Sequence, residues 1–176
     1  FRTVVIRRPC VTVNYLVDGV PDYHVDLAIY VKRDDNMLDL AKGKENSAAD
    51  FRVWEVSDPK RLTELIRTAL SDSEELALKR WRHVQFRNGG APLSIALTVA
   101  ALEWFQPNFS TAGKPLDLLA MLDWTNAMLA RFESAFTVED GTYSRLKIQL
   151  PVTPYGDLME RMSKSQMENF HERLQA

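Results

Sequence analysis

The sequence predicts an α+β protein, because its hydrophobic pattern changes from strand-like to helical spacing at about residue 56. Before that point apolar and polar residues alternate, and the Asp18-Gly19 pair is typical of a hairpin turn. After it, apolar residues recur three and four positions apart in several segments. We therefore expect residues 1–56 to form part of a β-sheet and residues 57–176 to form a helical lobe.

The strand pattern indicates an antiparallel meander, and the strand at residues 22–31 contains a single acid in its middle. Successive side chains of a strand point to opposite faces. One face, which we expect to lie in the core, carries Tyr23, Val25, Leu27 and Ile29. The other face carries His24 and Asp26, and Asp26 needs either solvent or a partner because an unpaired buried carboxylate is costly.

The remaining predicted elements are a loop, two short extended pieces and a series of helices. Residues 32–51 are polar and rich in Lys and Asp, which predicts a mobile surface loop. Short extended pieces are predicted at residues 51–56 and 143–152. Helices are expected at Pro59 after an Asp58 N-cap, after a capping box at Ser71 and Glu74, near Pro92, from Pro115 to Ser134, and at the end of the chain.

Composition indicates a globular protein and excludes several classes. The 176 residues are 45% hydrophobic and 26% charged, with no apolar run long enough to span a membrane and no signal-peptide pattern. We therefore expect a cytoplasmic protein without a membrane partner. The single cysteine, Cys10, cannot form an internal disulfide, and a net charge of −2 provides no electrostatic footprint for long nucleic acid. The chain opens directly in a strand pattern without Met, so we expect a piece of a larger protein.

Two polar residues of the helical lobe have the chemistry of a phosphate site. Ser94 falls in the first turn of a helix, just after a Gly-Gly break, and Lys79 lies in the preceding helix beside Trp81. Free N–H groups at a helix N-terminus, a hydroxyl and an ammonium group together suit a phosphate. Taken singly, such a serine is more often only a helix cap. Such a lysine more often lies at the surface, with the aliphatic part of its side chain packed on the aromatic ring.

Several motifs in a fixed order resemble the CD-NTase family, the bacterial relatives of cyclic GMP-AMP synthase and oligoadenylate synthase. These motifs are HVDLAIY at the strand acid, then W-x-x-S-D-P, LKRW about fifty residues after the acid, APLSIALT, and PVTPYGDLMERMS. The likeness extends from about residue 4 to residue 174. It implies a polymerase-beta-like nucleotidyltransferase, with part of the palm sheet in residues 1–56 and a helical lobe in residues 57–176.

The resemblance also implies roles for individual residues. Family members hold two Mg²⁺ ions on three carboxylates, and Asp26 matches the third, so it is the expected catalytic and metal-binding residue. Lys79 and Ser94 match the residues that grip the triphosphate, although PLS stands here where PS is commoner. Tyr155, an aromatic residue in a turn, is the expected contact to a nucleotide base. Such a site would join NTPs, with ATP among them, by attack of a ribose hydroxyl on an α-phosphate between two metal ions.

The chain departs from the family pattern in one respect. Neither a Gly-Ser helix start nor a following D-x-D strand is present in the sequence. We therefore expect this chain alone to be inactive and the complete protein to make a cyclic or linear oligonucleotide second messenger, as family members do in antiphage defence. The alternatives are a linear nucleotide-adding transferase of the same superfamily and a non-catalytic nucleotide-binding or interaction module. A regulatory protein partner is a further expectation.

Overall fold

The structure is a computed structural model that describes residues 2–7, 9–70, 72–137, 139 and 141–175. It contains helices and small antiparallel sheets, so the predicted mixture of α and β structure is confirmed. The chain divides into two compact units, one formed by residues 1–60 and 152–154 and the other by residues 61–151 and 155–176. The predicted capping box includes Ser71, which lies outside the described residues.

The first unit consists of two three-stranded antiparallel sheets, each with its strands in chain order. The first sheet contains β1 (Arg2–Ile6), β2 (Cys10–Val17) and β3 (Val20–Ala28), and the second contains β4 (Tyr30–Lys32), β5 (Leu38–Lys42) and β6 (Val53–Ser57). The predicted hairpin is confirmed, because Asp18 and Gly19 join β2 to β3 with φ values of 51° and 79°. Positive φ at both central residues gives a turn whose twist matches that of the flanking strands.

The first sheet has one apolar face, which is exposed on β1 and β3 and half-buried on the middle strand β2. Cross-strand pairs share a face, and the pairing places eight apolar residues together: Val4, Ile6, Val11, Val13, Tyr15, Tyr23, Val25 and Leu27. The expectation that this face lies in the core is wrong for the described chain, since Tyr23, Val25 and Leu27 are 42–56% exposed. Ile29, expected on the same face, is 47% exposed. Alternation predicted which residues share the face, but it could not show whether another element covers them.

The second sheet corrects the prediction of a loop at residues 32–51. Its middle strand, β5, lies within that segment, and Leu40 is buried. Some of the charged residues that made the segment look like a loop are paired across the sheet, since Arg33 bonds Asp39 and Lys42 bonds Glu55. The extended piece predicted at residues 51–56 is confirmed as β6.

The second unit is mainly helical. Its helices are α1 (Pro59–Ala69), which begins in the first unit, α2 (Asp72–Gln85), α3 (Ser94–Trp104), α4 (Asp117–Leu129) and α5 (Lys164–Gln175). Residues of four of these helices and of the segment after the last strand form one core, with Trp124, Met128, Phe170 and Ile148 fully buried at its centre. The starts predicted at Pro59 and near Pro92 and Pro115 agree with α1, α3 and α4.

A hairpin follows α4 and shortens the helix that the sequence predicts there. The strands β7 (Glu133–Thr137) and β8 (Gly141–Arg145) pair with each other, so the helix ends at Leu129 and not at Ser134. Ala130 retains helical backbone angles and Phe132 forms a last turn onto Leu129 before the chain becomes extended. Part of the extended piece predicted at residues 143–152 is therefore β8. Among the described residues, no helix combines the length and the apolar character that a membrane crossing requires.

Candidate functional site

Asp26 lies in β3 on the polar face of the first sheet. Residues that share this face include Thr12 and Asn14 of β2 and His24 of β3. The Thr12 hydroxyl donates a hydrogen bond of 2.5 Å to Asp26 Oδ1, and His24 Nε2 lies 3.7 Å from Asp26 Oδ2. The Asp26 side chain is 50% exposed, so the carboxylate has one anchored oxygen and access to solvent.

The surroundings of Asp26 favour its ionised form. The hydrogen bond from Thr12 lowers the pKa of the Asp26 carboxyl below its ordinary value of 3.8, and this effect outweighs the smaller desolvation that raises it. Cys10, His24 and Arg7 lower the pKa further. Asp26 is therefore a carboxylate at neutral pH, which is the form that binds a divalent cation.

The residues around Asp26 fit one magnesium ligand but not a whole magnesium site. Mg²⁺ takes hard oxygen ligands, and the ionised carboxylate of Asp26 is one. Within the described part of the chain, however, no group of three His, Cys, Asp or Glu side chains is close enough to hold a metal ion. The further carboxylates that the resemblance implies are not supplied by these residues.

The second unit brings together two of the predicted nucleotide-binding residues. Lys79 of α2 and Ser94, the first residue of α3, border one small hollow between the two helices, although fifteen positions separate them in the sequence. Both residues are exposed. No side chain caps the amino terminus of α3. A helix N-terminus that lacks a cap, together with a hydroxyl and an ammonium group, is suited to an anion placed over the hollow.

Arg82 and Thr98 also line this hollow, together with Leu78 and Leu97, and sequence reasoning did not identify Arg82 or Thr98. Arg82 Nε donates a hydrogen bond of 2.7 Å to the Pro92 carbonyl, and Thr98 Oγ1 donates one of 3.1 Å to the Ser94 carbonyl. Arg82 therefore fixes the segment that leads into α3. The available signal was helical spacing, since Arg82 follows Lys79 by three positions and so lies on the same side of α2.

Tyr155 is exposed and lies in an irregular segment directly after the turn at Thr153 and Pro154, outside this hollow. Its side chain is 56% exposed, and its φ of 58° is uncommon for a residue other than glycine. The structure thus places Asp26 in the first unit and Lys79, Ser94 and Tyr155 in the second. Their roles in binding and catalysis stay predictions.

Two larger hollows flank α4, and they differ in character from the hollow at Ser94. One is lined mainly by the exposed leucines Leu116, Leu118, Leu119 and Leu122, with Lys114 at its edge, and the other by Trp81, Met121 and residues of α5 that include Arg173. Neither includes Lys79 or Ser94. We favour the hollow at Ser94 as the phosphate site, because it places two cationic side chains, Lys79 and Arg82, beside the uncapped start of a helix. No known protein-family model matches the sequence.

Proposed function

We propose that the chain is part of a nucleotidyltransferase of the CD-NTase type, which joins NTPs into a cyclic or linear oligonucleotide in the cytoplasm. The observation that carries the proposal is that Lys79 and Ser94 border the same hollow, beside the uncapped start of α3. These residues were singled out from two separate sequence motifs on consecutive helices, and a triphosphate-binding site requires them to be neighbours. The polymerase-beta-like nucleotidyltransferase fold is part of the same proposal.

Under this proposal each residue has a distinct task. Lys79 and the N–H groups at the start of α3 neutralise the triphosphate, and the Ser94 hydroxyl donates a hydrogen bond to it. Asp26 presents a carboxylate to magnesium, together with acids that the described residues do not provide. Tyr155 offers an exposed ring on which a base stacks. ATP is among the expected substrates.

A second candidate function is a nucleotide-binding module without catalysis. One observation favours it: Lys79, Arg82 and Ser94 all belong to the second unit, so a triphosphate site can form there without Asp26. The two functions differ in what they require of Asp26. Catalysis needs its carboxylate, whereas binding alone does not.

The test uses protein from the complete reading frame, incubated with Mg²⁺ and α-labelled NTPs and then treated with phosphatase. We expect phosphatase-resistant label from the wild type and its loss in both Asp26→Asn and Lys79→Ala. Matched controls are Asp22→Asn, an exposed acid of the same strand, and Arg80→Ala, the exposed cation next to Lys79, and both should retain product. Unchanged product in Asp26→Asn would contradict the assignment of the site.

Direct nucleotide binding separates the two candidate functions. If the wild type makes no resistant label but binds ATP in calorimetry, and Lys79→Ala weakens this binding while Arg80→Ala does not, the binding module is the better description. Absence of both product and ATP binding would contradict both functions.

A further inference from the structure

The hollow at Ser94 has two cationic side chains in its lining and no carboxylate. Its lining consists of Leu78, Lys79, Arg82, Ser94, Leu97 and Thr98. The two cations are three positions apart in α2, so they lie on the same side of that helix. A negatively charged ligand placed over the hollow would therefore meet two positive charges, and no acid of the lining would repel it.

The guanidinium of Arg82 is anchored by one of its three nitrogens. Nε donates a hydrogen bond of 2.7 Å to the carbonyl of Pro92, whose side chain is fully buried. Within the described residues, the terminal nitrogens Nη1 and Nη2 make no hydrogen bond or ion pair. A guanidinium is planar, so the bond at Nε fixes its plane and leaves the terminal N–H donors for a ligand. Arg82 is half-buried, which limits its movement further.

We propose that Arg82 is a second phosphate-binding residue, which together with Lys79 makes the hollow select a triphosphate over shorter phosphates. This inference rests on the proposed function, in which the triphosphate of an NTP lies at this hollow. The paired N–H groups of a guanidinium match two oxygens of one phosphate group, whereas a lysine acts as a point charge. A triphosphate carries more negative charge than a single phosphate, so the second cation favours the longer ligand.

The hollow itself has no means of recognising a nucleotide base. No aromatic side chain is among its lining residues, and Tyr155 lies outside it. We therefore expect inorganic tripolyphosphate to bind at the hollow without a nucleoside. Inorganic probes also make the measurement independent of magnesium and of Asp26.

The test is calorimetric titration of the complete protein, without divalent cations, with phosphate, pyrophosphate and tripolyphosphate. We expect the affinity of the wild type to rise with the number of phosphate groups. In Arg82→Met, tripolyphosphate should bind about tenfold more weakly, the effect of losing one charge-assisted contact. Arg80→Met removes the same charge from an exposed position of α2 and should retain the wild-type affinity.

The ratio of the two dissociation constants, for tripolyphosphate and for phosphate, separates binding by Arg82 from its bond to Pro92. A loosened start of α3 would weaken all three ligands by a common factor and leave this ratio unchanged. Loss of a phosphate contact weakens tripolyphosphate most, so the preference for it should fall in Arg82→Met. If this variant does not fold, as judged by circular dichroism, Arg82→Lys decides. It keeps the charge without the paired N–H groups and should bind tripolyphosphate several-fold more weakly than the wild type.

The outcomes distinguish the inference from the proposed function. Tripolyphosphate binding that depends on Arg82, in a wild type that makes no product, supports the inference and overturns the catalytic function. A wild type that makes product or binds ATP, beside an Arg82→Met variant with an unchanged preference for tripolyphosphate, overturns the inference alone. Wild-type affinity in Arg82→Lys also overturns it, and so does a wild type that binds no tripolyphosphate.

Discussion

At the scale of single residues, the pKa of Asp26 depends on the neighbouring strand. The hydrogen bond from Thr12 is the largest influence on the carboxyl and lowers its pKa. A group whose pKa is lower in the folded state than in the unfolded state stabilises the fold above its unfolded pKa. This stabilisation is lost as the pH falls through the folded-state pKa, so it is lost only in acid.

The pKa of Asp26 is a direct prediction. Titration of its carboxyl carbon by NMR should give a pKa below 3.8 in the wild type and a higher pKa in Thr12→Val, because the donor to Oδ1 is gone. Thr3→Val, which removes an exposed hydroxyl that bonds Asn14 instead, is the matched control and should leave the pKa of Asp26 at its wild-type value. A wild-type pKa at or above 3.8 would contradict the role given to the hydrogen bond.

Trp124 shows how a buried donor is accommodated in the core. Its side chain is fully buried, and Nε1 has no hydrogen-bond acceptor within the described residues. The ring of Trp81 stands nearly perpendicular to it, with an angle of 78° and 6.0 Å between the ring centroids. Aromatic pairs favour this edge-to-face arrangement, which gains about 0.5–1.5 kcal/mol beyond simple burial. The contact between the two rings adds to the packing of the core around this donor.

At the scale of secondary-structure elements, α3 is the central helix of the second unit. Six consecutive residues, 96–101, are buried, so the helix packs on every side and has no polar stripe. Such a helix draws its stability from tertiary contacts and not from amphipathic packing against one neighbour. Its start is fixed by Arg82, which bonds the Pro92 carbonyl from α2.

Removal of Arg82 should loosen the first turn of α3. In Arg82→Met we expect the Ala96 and Leu97 amides, which bond the Leu93 carbonyl, to exchange with solvent about tenfold faster, equivalent to ~1.4 kcal/mol for one lost hydrogen bond. Hydrogen exchange followed by NMR checks this. Arg80→Met removes an exposed cation of the same helix and should leave the exchange rates of these amides unchanged. Equal acceleration in the two variants would contradict the role given to the hydrogen bond from Arg82 to the Pro92 carbonyl.

Arg145 holds the irregular segment between β8 and α5. Its guanidinium bonds the Met159 carbonyl, the Met162 carbonyl at 3.2 Å and Asp157 Oδ2 at 3.4 Å. Asp157 Oδ1 in turn accepts hydrogen bonds from the backbone N–H groups of Ile148 and Met159. Arg145 and Asp157 are both only 17% exposed, so solvent screens this pair less than it screens a surface pair.

The variant Arg145→Met should therefore be strongly destabilised. We expect the free energy of unfolding to fall by about 2–4 kcal/mol, because Asp157 and two carbonyls lose their donor in a largely buried place. Urea denaturation measures the change. Arg161→Met removes an exposed arginine of the same segment and should change the free energy of unfolding by less than about 0.5 kcal/mol. A similar loss in both variants would contradict the stabilising role given to the hydrogen bonds of Arg145.

At the scale of the whole molecule, the two units differ in how they bury apolar surface. The second unit encloses a continuous core of aromatic and aliphatic residues. In the first unit, the described buried hydrophobic residues are Leu40 and Val152, while the apolar face of the first sheet stays exposed. A contiguous exposed apolar face of this kind favours association.

The exposed face predicts limited solubility that charge can relieve. Lysine at Val4 and Val25, which are 64% and 42% exposed, should raise the saturating protein concentration without lowering the melting temperature, because neither side chain lies in a core. Val84→Lys adds a charge at a similarly exposed valine of α2 and should raise it less. A large fall in melting temperature in Val4→Lys/Val25→Lys would show that this face is buried in solution.

Sequence reasoning succeeded where local chemistry decides structure. The Asp18-Gly19 turn, the helix starts near proline and the strand at Asp26 all depend on backbone preferences of a few neighbouring residues. It failed at β5, where the charges of Asp39 and Lys42 made a strand look like a loop, because the partner strands and the ion pairs with Arg33 and Glu55 form only in the folded chain. It also extended α4 through residues that pair as β7, since helical spacing does not reveal a strand partner further along the chain.

By itself the sequence determined the class of the fold, the hairpin, most helix positions and the candidate residues Asp26, Lys79 and Ser94. The tertiary structure decided which residues surround them. Leu16 pairs with Pro21 but Tyr15 pairs with Tyr23, so Asp22 is an extra residue in β3, and this bulge shifts the register by one. An unshifted hairpin would place Val11 opposite Asp26, whereas the bulge places Thr12 there. Register beyond a turn depends on packing along the whole strand pair, which no short segment of sequence contains.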